Sequence, residues 1–179
     1  MNQAAAVTVD IDWPLAIHRE LAAASVRQVA YVPDAGHARL IQLCHTDASM
    51  RAVSLTTEEE GVAMLAGAWL GGQRGALLMQ SSGVGNCVNM LSLTRTCGFP
   101  LLTLVTMRGE WGEFNPWQVP MGQASEAVLK LCGATVYRLE QPDRAGETIG
   151  AAVRLAFNSS VHVVVLIAQA MIGSKSFKD

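Results

Sequence analysis

Three consecutive glutamates, Glu58, Glu59 and Glu60, follow Thr57 at the start of a stretch that is otherwise small and apolar as far as Gly71. Carboxylates at a helix mouth favour the helix dipole, and they can also hold or move a proton for a bound group. Thr57 with Glu60 three residues later fits a capping box. Capping accounts for Glu60 and partly for Glu58, and has no particular need of Glu59. A second candidate is the turn Ser81-Ser82-Gly83-Val84-Gly85-Asn86, behind the strand-like run Ala76 to Gln80. Its glycines let backbone approach a ligand closely, and amides of a helix predicted beyond it suit an anion. It is neither a Gly-x-Gly-x-x-Gly fingerprint nor a phosphate loop followed by lysine. No Gly-x-Ser-x-Gly elbow occurs, so Ser81 and Ser82 are not read as nucleophiles.

The third candidate runs from Arg108 to Gln123 and carries two of the four tryptophans, a phenylalanine and three glycines. Irregular segments of that length in compact domains are usually functional, and Trp111, Phe114 and Trp117 argue against disorder. A substrate lid and a subunit contact both fit this composition. Arg108 can grip an anionic group with a bidentate fork, or pair with Glu110 or Glu113. The fourth candidate is the turn Pro33-Asp34-Ala35-Gly36 with His37 behind it. His18 and His45 read as helix-surface residues and His162 as the start of a core strand, so His37 is the histidine expected near a pocket.

The elements that must position these residues alternate between helix and strand. Asp12 caps a helix with Pro14 in its first turn, running to about Ala24. Strands are predicted at 28–32, 52–55, 76–80, 101–107, 135–139 and 161–168. Between them the pattern predicts helices at 37–45, 58–70, 86–97, 124–131 and 144–157, the last capped by Asp143. Continuous Val, Leu and Ile strands separated by helices mean a parallel sheet covered on both faces. The expected fold is an α/β, doubly wound open sheet of about six parallel strands, with ligands beyond the strands' carboxyl ends. All four candidate segments lie at such ends.

With 179 residues the chain fits one domain, 1–179, with 1–10 and 173–179 as loose tails. Half the residues are hydrophobic and 16% are charged, against about 25% in typical domains, which favours contact with another chain. A net charge of −2 gives no electrostatic footprint for nucleic acid. The longest apolar run, Val161 to Ala170, is broken by His162 and Gln169 and is too short to span a bilayer. The N-terminus lacks the basic region of a signal peptide, so a cytoplasmic location is expected. Cys44, Cys87, Cys97 and Cys132 show no metal-binding or redox spacing and are read as buried free thiols, with no metal site.

Together these segments resemble the pyrimidine-binding (PYR) domain of thiamine-diphosphate enzymes, over roughly Ile11 to Ile172. Within that superfamily the likeness is to the alpha subunit of sulfopyruvate decarboxylase and to phosphonopyruvate decarboxylases. It rests on Glu59-Glu-Gly-Val-Ala-Met-Leu-Ala-Gly-Ala-Trp69, Met79-Gln-Ser-Ser-Gly-Val-Gly-Asn86, Tyr31-Val-Pro-Asp34, and Arg108-Gly109 with Gln118-Val-Pro-Met-Gly122. The resemblance implies that Glu59 hydrogen-bonds the cofactor's pyrimidine N1′ and so activates it for attack on a 2-oxoacid carbonyl. It implies cofactor contacts from Ser82, Gly83, Val84, Gly85 and Asn86, and substrate contacts from Pro33, Asp34, His37, Arg108 and Gln118. The superfamily's diphosphate-binding (PP) half holds diphosphate and Mg2+ through Gly-Asp-Gly and paired asparagines. This chain has no Asp-Gly and no Asn-Asn. The implied partner is therefore a separate PP-domain (beta) subunit in a heterotetramer or larger, with small residues of the 58–70 helix suited to close packing at the interface or on its own sheet.

The sequence also departs from the pyruvate decarboxylase branch: no paired histidines follow the Ser-Gly-Val-Gly turn, and Asp34 stands one position before that branch's acid. The aromatic loop keeps a 2-oxoacid with an aromatic or aliphatic side chain, possibly ligated rather than released, as an alternative to an anionic one. A non-catalytic scaffold subunit is the alternative outside enzymology.

Overall fold

The computed structural model describes residues 11–173; the tails expected to be loose and the N-terminal stretch read for a leader lie largely outside them. Six strands, β1 (Val26–Tyr31), β2 (Arg51–Ser54), β3 (Arg74–Gln80), β4 (Leu101–Thr106), β5 (Thr135–Leu139) and β6 (His162–Ile167), form one sheet. Its order is β2-β1-β3-β4-β6-β5 and every pairing is parallel. The doubly wound architecture read from the sequence is thus the one observed. Strands β4 and β6 are buried at every position, as continuous Leu/Val/Ile runs require when both faces are covered. Edge strands β2 and β5 are largely accessible.

Alternate side chains of the strands feed two cores. On one face Leu78, Leu102, Leu104, Val163 and Val165 pack with Ile17, Leu21, Leu40, Ile149 and Val153. These come from helices α1 (Trp13–Ala23), α2 (Ala38–Thr46) and α7 (Ala145–Ser159). On the other face Leu77, Met79, Val105, Val164 and Leu166 meet Val62, Leu65, Val84, Cys87 and Leu129. These five helical residues come from α3 (Glu58–Leu70), α4 (Ser81–Cys87) and α6 (Val119–Leu131); α5 (Ser92–Thr96) and α8 (Gln169–Ile172) are short.

Several local expectations are corrected. The predicted glycine turn 81–86 is itself helix α4, starting directly at the end of β3, and the single helix expected over 86–97 is divided between α4 and α5. Neither Gly83 nor Gly85 takes a positive φ; Gly83 serves a close approach instead, because a Cβ there would lie 2.4 Å from the Glu58 carboxyl carbon. The irregular region is shorter than 108–123, since a 3₁₀ turn at Pro116–Gln118 leads straight into α6. Pro120 in the first turn of α6 suits that start, where no N–H is needed. Asp12 caps α1 through a bond from the Leu15 amide (3.1 Å). Asp143 does not cap α7, because a 3₁₀ turn at Pro142–Arg144 intervenes. Of the small residues of α3, Gly61 is pressed on Leu77 and Leu55, so it serves packing within the domain, while Ala63 and Gly67 are exposed.

Cys44 and Cys87 are buried, with burial pushing each thiol up to about 12, but Cys97 is exposed and Cys132 half-buried, against the expectation for all four. His162 is a core residue as read, bonded to Thr103 Oγ1 (3.1 Å), and burial pushes its pKa down to about 4. His18 is half-buried against Asp47 rather than on the surface. No helix among the described residues is long and apolar enough to cross a membrane. Leu102, fully buried on β4 in the central strand pair of the sheet, should cost about 2–5 kcal/mol as Leu102→Ala, read as a lowered urea midpoint with the m-value unchanged.

Candidate active site

The chain leaves β1 toward β2 on one side and returns to β3 on the other, so the sheet's switch point lies between β1 and β3. Ligands of doubly wound sheets sit outside the carboxyl ends of strands at such a point. Asp34, three residues beyond β1, binds the neighbouring strand ends together. Its carboxylate accepts from Gln80 Nε2 (3.0 Å) at the end of β3, Thr106 Oγ1 (2.6 Å) at the end of β4, and the Gly36 amide (3.1 Å). Burial raises its pKa, yet the Thr106 hydroxyl and the other donors outweigh burial and hold the carboxyl below the usual value. Asp34 is therefore ionised at neutral pH. Pro33 is exposed beside it. Together they line a shallow groove with Tyr31, Ala38 and Ile41.

His37 departs from its expected place. It is fully buried, its Nε2 lies 3.1 Å from the Leu104 carbonyl, and burial pushes its pKa down. It supports the Asp34 turn from within the sheet and reaches no open surface.

The three glutamates have three fates. Glu58 is buried, 8% exposed, packed against Gly83, and its Oε2 accepts from Asn86 Nδ2 (2.8 Å). Among the described residues none donates to its Oε1. Glu59 is half-buried and accepts from Thr57 Oγ1 (3.2 Å). Glu60 reaches back to the Thr56 amide (2.9 Å), one residue short of the expected capping box, and the Thr57 side chain makes no cap bond. The acid facing the 81–86 segment is thus Glu58, whereas sequence reasoning singled out Glu59. Gly83 and Val84 are buried, Ser82 is half-buried with its hydroxyl donating to Gln80 Oε1 (3.0 Å), and Gly85 and Asn86 are exposed.

Arg108 follows β4 by two residues and is anchored to α4 by its amide on Ser81 Oγ (3.1 Å). Its Nε and Nη2 make a fork to Glu113 at 2.6 and 2.5 Å, and its guanidinium lies 5.5 Å from the Phe114 ring centre. The pairing with Glu113 anticipated as the structural alternative is present, but buried rather than superficial, with the Glu113 side chain 3% exposed. The Glu113 carboxylate also accepts from the Gly109 and Asn115 amides and from Gln169 Nε2. Gln169 Oε1 in turn receives the Glu110 and Trp111 amides. These bonds order the loop from 108 to 115. Gln118 is half-buried with its Oε1 lacking a partner. Glu58, Glu113, Gln80, Thr106 and Gln169 were not among the predicted site residues. The signals for Gln80 and Gln169 were polar residues closing or breaking apolar runs.

Behind the loop, Glu110, Trp111, Glu126, Arg138 and Glu140 line a cavity of about 480 Å³ at the ends of β5 and β6. Its three carboxylates all engage Arg138. No cluster of metal-ligating residues occurs among the described residues.

No protein-family model matches the sequence. Sulfopyruvate decarboxylase subunit alpha of Methanocaldococcus jannaschii is 34% identical over 153 residues, 85% of this chain and 90% of that one. The chain belongs to the sulfopyruvate decarboxylase alpha-subunit family. Phosphonopyruvate decarboxylase of Streptomyces viridochromogenes is 38% identical over 109 residues, 60% of this chain and 28% of that protein. In fold, the family member described here matches a 2-oxoglutarate:ferredoxin oxidoreductase from Magnetococcus marinus, solved with 2-oxoglutarate, coenzyme A and succinyl-CoA bound. The TM-score is 0.70 at 13% identity, covering 89% of this chain and 29% of that one.

The Arg108 fork, foremost among its contacts, draws the Glu113 carboxyl from the ordinary 4.5 down to about 2. A carboxyl lowered on folding contributes stability above its unfolded pKa and loses it as pH falls through the folded value. The parent should therefore shed this contribution between about pH 4.5 and pH 2. Urea midpoints measured across that range should converge with those of Glu113→Gln, which is the less stable at neutral pH.

Proposed function

We propose that this chain is the alpha subunit of a two-chain, thiamine-diphosphate-dependent decarboxylase of an anionic 2-oxoacid, of the sulfopyruvate or phosphonopyruvate type. The carrying observation is Glu58: a buried carboxylate at the switch point, one oxygen held by Asn86 and the other open. That geometry fits the cofactor, because a carboxylate oriented by one fixed donor can present its second oxygen to a ring nitrogen. When bound, thiamine diphosphate supplies an acidic ring carbon that adds to the ketone and an electron sink for departing carbon dioxide.

The chain's residues do the remainder. Glu58 would present Oε1 to the ring nitrogen, and Asn86 sets the plane of the carboxylate. Gly83 permits the contact, and Ser82, Val84 and Gly85 build the wall beside it. Pro33, Asp34, Arg108 and Gln118 stand on the substrate side, with His37 behind them as support. Glu59 keeps a claim as the acid because the motif spacing falls on it.

The exposed Trp111 and Trp117, at 56% and 83%, favour a second chain covering this end of the sheet. That chain is the PP subunit, bringing Gly-Asp-Gly, paired asparagines and Mg2+, in a cytoplasmic heterotetramer or larger. The present chain contributes a single PYR-type domain.

The test is exchange of the cofactor's C2 proton in the reconstituted, Mg2+-loaded complex, followed by NMR. Glu58→Gln should slow exchange by about 10²–10⁴ while the complex still assembles, and Glu59→Gln should stay near the parent. The reverse order returns the role to Glu59. Parent-like exchange in both variants removes the decarboxylase reading.

A further inference from the structure

Composition leaves the aromatic loop after β4 two uses, a lid that swings over substrate or a fixed surface that meets another chain. A lid needs a base that can turn. Here the base is locked. Gly109 sits against the Gln118 backbone and Gly122 against the Arg108 carbonyl, with no space for a Cβ at either position. Gln123 Nε2 closes the same junction by donating to the Gly109 carbonyl (2.9 Å). The far side of the loop is held by Gln169, 2% exposed and two residues beyond β6. Its Oε1 accepts both the Glu110 and Trp111 amides (3.0 and 3.1 Å), and its Nε2 donates to Glu113 (2.9 Å). Its own amide donates to Glu110 Oε2 (3.4 Å), while Glu110 Oε1 pairs with Arg138 on β5 (2.6 Å). The side chain this frame leaves outside is Trp111, 56% exposed. Trp111 also forms one wall of the cavity of about 480 Å³ at the ends of β5 and β6, so a partner side chain has room beside the indole.

We infer that the loop is a rigid docking rim for the second subunit, with Trp111 as its anchor and Gln169 as the positioning residue that holds the anchor ready before the subunits meet. The inference rests on the two-chain reading above. An indole on a backbone that is already fixed loses less freedom when a partner closes over it, and so gains more affinity. Large aromatic side chains are the commonest anchors of such contacts. Gln169 suits the role because two consecutive amides on one carbonyl oxygen fix the direction in which residue 111 leaves the chain. A methionine there would keep the length of the side chain and lose all three of its bonds. The occupant is a PP-type chain rather than a second copy. The rim stands at the carboxyl ends of β4 and β6, the same end of the sheet at which α3 presents Glu58. A second copy brings no Asp-Gly or Asn-Asn with which to complete that site.

The experiment uses the full chain and the PP subunit that copurifies with it, and reads their affinity by calorimetric titration. Trp111→Ala should weaken association about thirtyfold or more, and Gln169→Met about tenfold. In the Trp111→Ala background Gln169→Met should add less than about twofold, because its effect passes through the indole. Hydrogen exchange in the free chain should find the Glu110 and Trp111 amides protected, in the parent and in Trp111→Ala alike, with protection lost in Gln169→Met. Parent-like affinity of Trp111→Ala overturns the inference. So does a Gln169→Met loss that is undiminished without the indole, which would make Gln169 a residue of the fold alone. Should Gln169→Met not fold, the Trp111→Ala affinity and the parent's exchange still decide, since unprotected loop amides in the free parent would mean a rim ordered only on binding. A parent chain that copurifies with no cofactor-binding subunit overturns the two-chain reading, and this inference with it.

Discussion

A parallel sheet buried on both faces leaves its polar chemistry only one place to gather, the carboxyl ends of its strands. In this protein Asp34 organises that edge. One carboxylate, held ionised by donors from the ends of β3 and β4 and from its own turn, pins three adjacent chain segments. Everything proposed for the site stands on that edge: α4 begins directly after Gln80, Arg108 emerges just after Thr106, and α3 presents its glutamates across the same opening. Loosening the Asp34 bonds would release the relative positions of all three.

Two other carboxylates show how the same group acquires different properties from its surroundings. Glu113 is saturated, with five donors on two oxygens, and behaves as part of the scaffold. Glu58 is also a buried residue, but a single side-chain amide reaches only one of its oxygens. The contrast separates a structural acid from a candidate catalytic one without reference to sequence motifs.

The match to sulfopyruvate decarboxylase subunit alpha spans nearly the whole of both chains, whereas phosphonopyruvate decarboxylase is matched over only 28% of its length.

Fold class was legible in the sequence because six apolar runs separated by amphipathic segments admit few arrangements other than a covered parallel sheet. The bounds of α3 and β5 followed directly from Thr57 and from the run at Thr135. The pairs Arg108–Glu113 and Asp34–Thr106 were not so determined. Glu113 was legible as one possible ion partner five residues from Arg108, but its burial depends on Gln169, distant in sequence and brought in by β6. The choice among Glu58, Glu59 and Glu60 was likewise beyond capping rules, which see only the first turn. Gly83 lets α4 press against Glu58, which is why Glu58 is the buried one of the three. Local chemistry in the sequence names the candidates; which of them is buried, paired or left open is set by long-range packing, because burial and hydrogen-bond satisfaction belong to neighbours that only the tertiary fold supplies.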